Sequence, residues 1–211
     1  MRNLESKRQI FYNGSIITMN DSQPIAEAVA IEGEKIIAVG NLNDIESQLK
    51  SNYDLIDLKG NSLVLFSRIE SHGVPLYELI NNCKNKGQKV FFVHGGVDTV
   101  EREKVREITE RENNAIIIAS YGVFSTGINI KNLHNVIFAS PSKSRIRNLQ
   151  SIGRVLRKSS NKNKATLYDI ADDCTYNSRK NYTLNHFIER IKIYNEEKFN
   201  YDIININLKQ W

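Results

Sequence analysis

The sequence predicts an α/β protein, a parallel sheet flanked by helices and preceded by a small β-rich appendage. Uninterrupted apolar runs at 62–66, 115–119 and 135–139 read as strands buried on both faces. Segments of helical apolar spacing separate them, which is the pattern of a parallel sheet with crossover helices. The first 60 residues lack that alternation and carry short strands between turn signals.

The elements follow in order. Residues 10–19 are rich in β-branched and aromatic side chains, with an Asn13-Gly14 turn signal inside the run. Residues 28–31 and 35–39 flank a turn at Gly33 and read as a hairpin. A polar helix at 43–49 and a strand at 55–58 complete a first region, 1–60, which Gly60 closes. A second region, 61–211, opens with the strand 62–66 and a helix at 74–83, whose Leu76, Leu79 and Ile80 share a side. A strand at 89–93 ends in His94-Gly95-Gly96, and Asp98 is placed to cap a highly charged helix running to Glu112. Its alternating charges suit an exposed face laced with i,i+4 pairs. Further strands are expected at 115–119, 135–139 and 165–170, with a basic helix at 144–157 before the last of them. A final helix at 182–198 repeats Leu184, Phe187, Ile188, Ile191 and Tyr194 at core-packing spacing.

Charge is distributed unevenly. Residues 1–60 hold 6 basic and 9 acidic side chains, net −3, which leaves 23 against 15, net +8, in the remainder. A basic second region suits a polyanion, with nucleic acid the obvious class. The two cysteines stand apart, without the spacing of a zinc site, and suit a reducing compartment. No apolar run approaches the roughly 20 residues that span a bilayer, and the N-terminus shows no signal peptide. A soluble, cytoplasmic protein is expected.

Two motifs carry chemistry. Residues 150–157 read Q-x-x-G-R-x-x-R. On a helix Gln150, Arg154 and Arg157 share a face, and Gly153 lets a backbone or phosphate approach. Two guanidinium groups on one face can grip a polyphosphate and neutralise charge as a phosphoryl group leaves. The second motif, IIIASYGVFSTGIN at 116–129, runs from a buried strand into hydroxyls and glycines. Such loops lie at the carboxyl ends of parallel strands, where ligands of open α/β sheets bind. Ser120, Ser125 and Thr126 can donate to phosphate oxygens there.

The segment from Leu63 to Leu208 resembles the C-terminal RecA-like domain of superfamily 2 helicases, in particular phage branch-migration helicases. ASYGVFSTGINIKNLHNVIFA is similar to motif V of that family, LQSIGRVLRK to motif VI, VLFSRIESHG to motif IV, and FFVHGGVDTVERE to the segment after it. The resemblance implies that motif VI arginines reach ATP held on a first RecA-like domain. Arg157 would be the finger, Arg154 a γ-phosphate contact, and Gln150 and Gly153 would organise them. Motif V would couple nucleotide to strand through Ser120, Tyr121, Thr126, Gly127 and Asn129, although many relatives have an acidic residue at the Asn129 position. Arg68, His72 and Lys143 are candidates for backbone phosphate contacts.

No G-x-x-x-x-G-K-[ST] and no D-E-x-H or D-E-x-D box occurs in the 211 residues. ATP and Mg²⁺ are therefore expected only when a first, P-loop-bearing domain completes the site, and the chain alone is expected to be inactive. The expected partners are DNA, with RNA open, and that P-loop domain, in a host cytoplasm if the protein is phage-encoded. The competing expectation is a non-enzymatic module that binds nucleic acid or a helicase partner.

Residues 1–60 resemble the opening β-segment of metal-dependent amidohydrolases, through FYNGSIITMNDSQPIAEAVAIEGEKIIAVGNLNDI and LIDLKGNSLV. Those enzymes continue into an H-x-H metal pair, whereas this chain has Glu70-Ser71-His72-Gly73-Val74. With four histidines in all and no barrel, the region reads as a non-catalytic appendage, and no metal site is expected. Asp169, Asp172 and Asp173 read as turn residues after a strand, and His94 as a loop residue.

Overall fold

The computed structural model describes residues 8–18, 20–126, 130–140, 144 and 165–206. The chain divides into two compact units, one formed by residues before Gly60 together with those from Tyr201, the other by Gly60–Asn200.

The first unit is a four-stranded sheet with one helix. β1 (Arg8–Ile17), β2 (Ile25–Glu32), β3 (Lys35–Gly40) and β4 (Tyr53–Asp57) line up in the order β3-β2-β1-β4, with α1 (Leu42–Leu49) between β3 and β4 in sequence. The first three strands are antiparallel, and β4 joins β1 in parallel. Burial alternates along β2, as expected of a sheet with one covered face. Ile10, Ala28, Ala30 and Ile45 form the core, with Leu42 and Leu49 of α1 packed against it. Asn41 caps α1, its side-chain oxygen accepting the Asp44 N–H at 2.9 Å. The Asn13-Gly14 signal does not make a turn. Asn13 takes a positive φ of 62°, the register with β2 shifts between Tyr12 and Ile16, and the strand bends through a bulge.

The second unit is the parallel α/β layer. β5 (Ser62–Phe66), β6 (Val90–Val93), β7 (Ile116–Ser120), β8 (Asn135–Phe138) and β9 (Thr166–Asp169) are all parallel, in the order β6-β7-β5-β8-β9. α2 (Val74–Cys83), α3 (Thr99–Arg111), α4 (Tyr121–Thr126) and α5 (Tyr182–Glu196) accompany it. Alternate strand residues feed two cores. Leu63, Leu65, Ile117, Ala119, Val136 and Phe138 pack with Val105 of α3, Tyr121 and Val123 of α4 and Tyr194 of α5. Val64, Phe66 and Ile118 pack with Leu76, Tyr77 and Ile80 of α2. Both faces are thus covered, which explains the unbroken apolar runs of β5 and β7.

The segment after β7, expected as a loop, turns at once into the short helix α4. Buried Tyr121 and Val123 give it an apolar side, and this packing overrides the loop signal of glycine and serine. Asp98 caps α3 as expected, accepting the Glu101 N–H at 2.8 Å. The charged face of α3 carries an Arg106–Glu103 pair at i,i+3 spacing. The basic helix expected at 144–157 lies almost wholly outside the described residues.

Asn61, fully buried, ties the amino-terminal ends of the strands together. Its Nδ2 donates to the carbonyls of Thr109, Glu112 and Asn132 at 2.8, 2.7 and 2.8 Å, and its Oδ1 accepts the Ala115 N–H at 2.8 Å. Its own carbonyl accepts from the N–H of His134 and Asn135. Gly60 beside it is obligatory, because at φ +114° a Cβ would lie 2.4 Å from the His134 ring.

Candidate functional site

The strand order reverses between β5 and β8. From β5 the chain continues to β6 on one side, and from β8 to β9 on the other. The carboxyl ends beside such a reversal form the crevice where open α/β sheets take ligands. β5, β7 and β8 deliver Arg68, His72, Ser120, Tyr121 and Ser140 to that edge.

Beyond β5, Arg68 is extended and exposed, and residues Ile69–Gly73 form one wide π turn that runs into α2. The Arg68 carbonyl accepts the N–H of both His72 and Gly73, at 3.2 and 3.0 Å. Gly73 permits this turn, since a Cβ there would lie 2.6 Å from the Phe66 ring. Phe66 stacks on Phe92, and Phe92 on Tyr77, so the turn rests on an aromatic floor. Such single π turns are frequent at functional sites.

His72 is then placed across the reversal. Its Nδ1 lies 2.7 Å from Oγ of Ser140, which follows β8. Ser140 is also held from beneath, its carbonyl accepting the Tyr121 hydroxyl at 3.0 Å. Tyr121 is buried and its ring packs on Phe138, so its phenol braces the β8 exit rather than presenting itself to a ligand. Burial raises the Tyr121 pKa well above the usual range, with Asp169 adding to the effect and Arg190 opposing it, so the hydroxyl stays a donor. Ser120 is half-buried at the end of β7, in register with Phe66, and Thr126 ends α4. Gly127, Asn129, Lys143, Gln150, Gly153, Arg154 and Arg157 lie outside the described residues.

A buried charged group was not legible as such in the sequence. Arg190 on α5 has no solvent exposure and grips Asp169 at the end of β9 with two hydrogen bonds, 2.7 and 2.6 Å. The Tyr194 hydroxyl donates to the same carboxylate at 2.7 Å. Burial works against the Arg190 charge, but the Asp169 carboxylate outweighs it and the guanidinium pKa rises. Burial first, and then Asp169, push the Tyr194 phenol far up. Asp169 is therefore an anchor for α5 and not the turn residue expected. The signal was present, because Arg190 interrupts the stripe formed by Phe187, Ile191 and Tyr194.

Among the described residues no group of three or more His, Cys, Asp or Glu is placed to hold a metal ion. No helix among them is long and apolar enough to cross a membrane.

Residues 47–159 match the model of the helicase conserved C-terminal domain. Over 158 residues the chain is 45% identical to an ATP-dependent DNA helicase, UvsW, of Enterobacteria phage T4, covering 70% of this chain and 31% of that protein. Over 159 residues it is 31% identical to a protein of Acanthamoeba polyphaga mimivirus, named provisionally as an ATP-dependent RNA helicase, covering 74% of this chain and 28% of that one. The crystal structure of T4 UvsW superimposes with a TM-score of 0.56 at 42% identity, over 71% of this chain and 31% of that chain. The chain thus spans about a third of the length of these curated relatives.

Proposed function

Because the chain belongs to the helicase conserved C-terminal domain family, its larger unit being the second RecA-like domain of a superfamily 2 helicase, we propose that it serves as one motor half of an ATP-dependent DNA helicase of the branch-migration and unwinding kind. The observation that carries this reading is the Q-x-x-G-R-x-x-R sequence, which falls in the connection from β8 to β9. That connection leaves the sheet at the strand-order reversal, where ligands of this architecture bind.

In this reading Arg154 and Arg157 neutralise the γ-phosphate of ATP held on a P-loop domain, and Gln150 and Gly153 set their placement. Gly127 and Asn129 take part on the nucleotide side. Arg68, His72, Ser120, Thr126 and Lys143 face nucleic-acid backbone, and the buried Tyr121 supports them through Ser140. ATP, when bound, supplies the phosphoanhydride, and Mg²⁺ falls to the P-loop domain, since the 211 residues carry no D-E box. Closing and reopening of the cleft between the two domains would do the work on the strand. DNA is preferred over RNA through the 45% identity to a DNA helicase.

Mixing the chain with a separately made P-loop domain tests the reading. DNA-stimulated ATP hydrolysis is expected in the mixture and in neither part alone, with Arg157→Ala lowering it by roughly 10³-fold or more. Binding of DNA with no turnover in any pairing would overturn the motor reading in favour of a non-enzymatic binding module.

A further inference from the structure

The connection from β9 to α5 and the first residue of α5 expose two aromatic rings. Tyr176 and Tyr182 are the two most exposed large apolar side chains among the described residues, at 77% and 70%. Isolated exposed apolar residues are ordinary, but one tyrosine in a short connection and another opening the helix after it, with Arg179 and Lys180 between them in sequence, form an aromatic surface flanked by two cations. The connection leaves the carboxyl end of β9, on the same sheet edge as Ser120 and Ser140.

Backbone and side-chain hydrogen bonds tie the loop together. Tyr176 and Arg179 exchange backbone hydrogen bonds at 3.1 and 2.9 Å around Asn177 and Ser178, both of positive φ, which makes a tight two-residue turn. The Asn181 side chain accepts the Cys174 N–H at 3.1 Å and donates to the Asp172 carbonyl at 2.9 Å, fixing the turn to the start of α5. Thr183 adds a second bond to that carbonyl, at 3.0 Å. Asp173 accepts from both the N–H and the hydroxyl of Thr175, which hold its pKa below the usual carboxylate range, with Lys180 assisting. The Tyr182 ring meets the His186 ring edge-on at 4.1 Å, so its orientation is set.

We propose that this loop is a stacking platform for unpaired bases of single-stranded nucleic acid, Tyr176 and Tyr182 offering ring faces and Arg179 and Lys180 meeting the flanking phosphates. It rests on the reading of the chain as a nucleic-acid motor part. Asp172 and Asp173 cancel the local charge of the two cations, so ring faces supply the affinity and the net +8 of residues 61–211 supplies the attraction at distance. Stacking of this kind tolerates any base and loses about tenfold or more in affinity when the ring is removed. The Tyr182 ring, set against His186, loses little freedom on binding, which favours a stacking role for it.

Fluorescence anisotropy of the 211-residue chain with a labelled oligothymidylate, and with an abasic strand of equal length, tests the proposal. Tyr176→Ala and Tyr182→Ala should each weaken oligothymidylate binding about tenfold, while Tyr176→Phe and Tyr182→Phe retain it. The abasic strand should bind more weakly than oligothymidylate and lose nothing further in the alanine variants. Both tyrosines are exposed, so circular dichroism should show all four variants folded as the parent. Unchanged oligothymidylate binding in the alanine variants, or equal binding of the abasic strand, overturns the platform and leaves the motor reading standing. Loss of self-association on Tyr176→Ala, with oligonucleotide binding intact, would make the loop a protein contact and also overturn it. A parent chain that binds neither strand overturns the platform and the nucleic-acid part of the motor reading together.

Discussion

The two units bury their sheets differently, and the difference shows where function can reside. In the first unit one face of β1–β4 is covered by a single helix, and burial along β2 alternates from Ile25 to Ala30. In the second unit helices pack on both faces of the sheet around β5 and β7, and β5 is buried nearly throughout. A parallel sheet covered on both faces leaves its strand ends as the accessible backbone. One end of this sheet is closed by the side chain of Asn61. At the other, bridges between the strand exits hold the loops in place, namely His72 to Ser140, Tyr121 to Ser140 and Arg190 to Asp169.

Four perturbations separate the two units. The largest effect should come from Asp169→Asn, which leaves the Arg190 guanidinium buried without its counter-charge. A loss of about 4 kcal/mol from the second unit is expected in urea unfolding, because a broken buried pair strands a charge. A loss below 1 kcal/mol would mean that the pair is open to water. Ile45→Ala, in the core of the first unit, should cost about 3 kcal/mol through the cavity it leaves. Oligonucleotide binding should be unchanged in that variant, and a loss of binding would contradict the assignment of nucleic acid to the second unit.

Smaller effects bear on the bridges. Tyr121→Phe removes one buried hydrogen bond and should cost about 1 kcal/mol, with the Ser140 carbonyl left short of a donor. Hydrogen exchange at Ala139 and Ser140, whose N–H groups bond to Leu65, should quicken if the phenol braces this exit. The smallest effect is in the alkaline limb of stability. Tyr121 and Tyr194 both have folded-state pKa values above the usual 10.0, so their contribution is complete below about pH 10. Above that, the unfolded phenols lose protons while the folded ones keep them, and stability falls as pH rises toward the raised values. A double Tyr121→Phe, Tyr194→Phe variant should flatten this decline, and an equal decline in parent and variant would place its origin elsewhere.

The sequence disclosed the parts of this architecture that depend on pattern. Two-sided burial imposes continuous apolar runs, so β5, β7 and β8 were legible, as were the capped helix α3 and the hairpin of β2 and β3. The features it hid depend on partners distant along the chain. Asn13-Gly14 has the composition of a turn, but pairing of β1 with β2 on both sides of it carries the strand through as a bulge. Tyr121 to Thr126 has loop composition, and burial of Tyr121 and Val123 makes it helical. Asn61 and Arg190 have side-chain partners 21 to 71 positions away, so although Arg190 interrupts an apolar stripe, local periodicity does not name what it pairs with. At the candidate site, Arg68, His72 and Ser120 were nameable from motif resemblance, whereas the bracing roles of Ser140 and Tyr121 needed the strand order to emerge.

If this chain supplies arginines to a triphosphate held by another polypeptide segment, as proposed, affinity between the two parts must depend on the nucleotide. Binding of the 211-residue chain to an isolated P-loop motor domain should tighten at least tenfold when that domain carries ADP and aluminium fluoride, which imitates the phosphoryl group in transfer. Arg157→Ala should remove the tightening while leaving the weaker nucleotide-free association as it was. An affinity indifferent to the analogue, or a gain that survives the loss of both Arg154 and Arg157, would contradict the account.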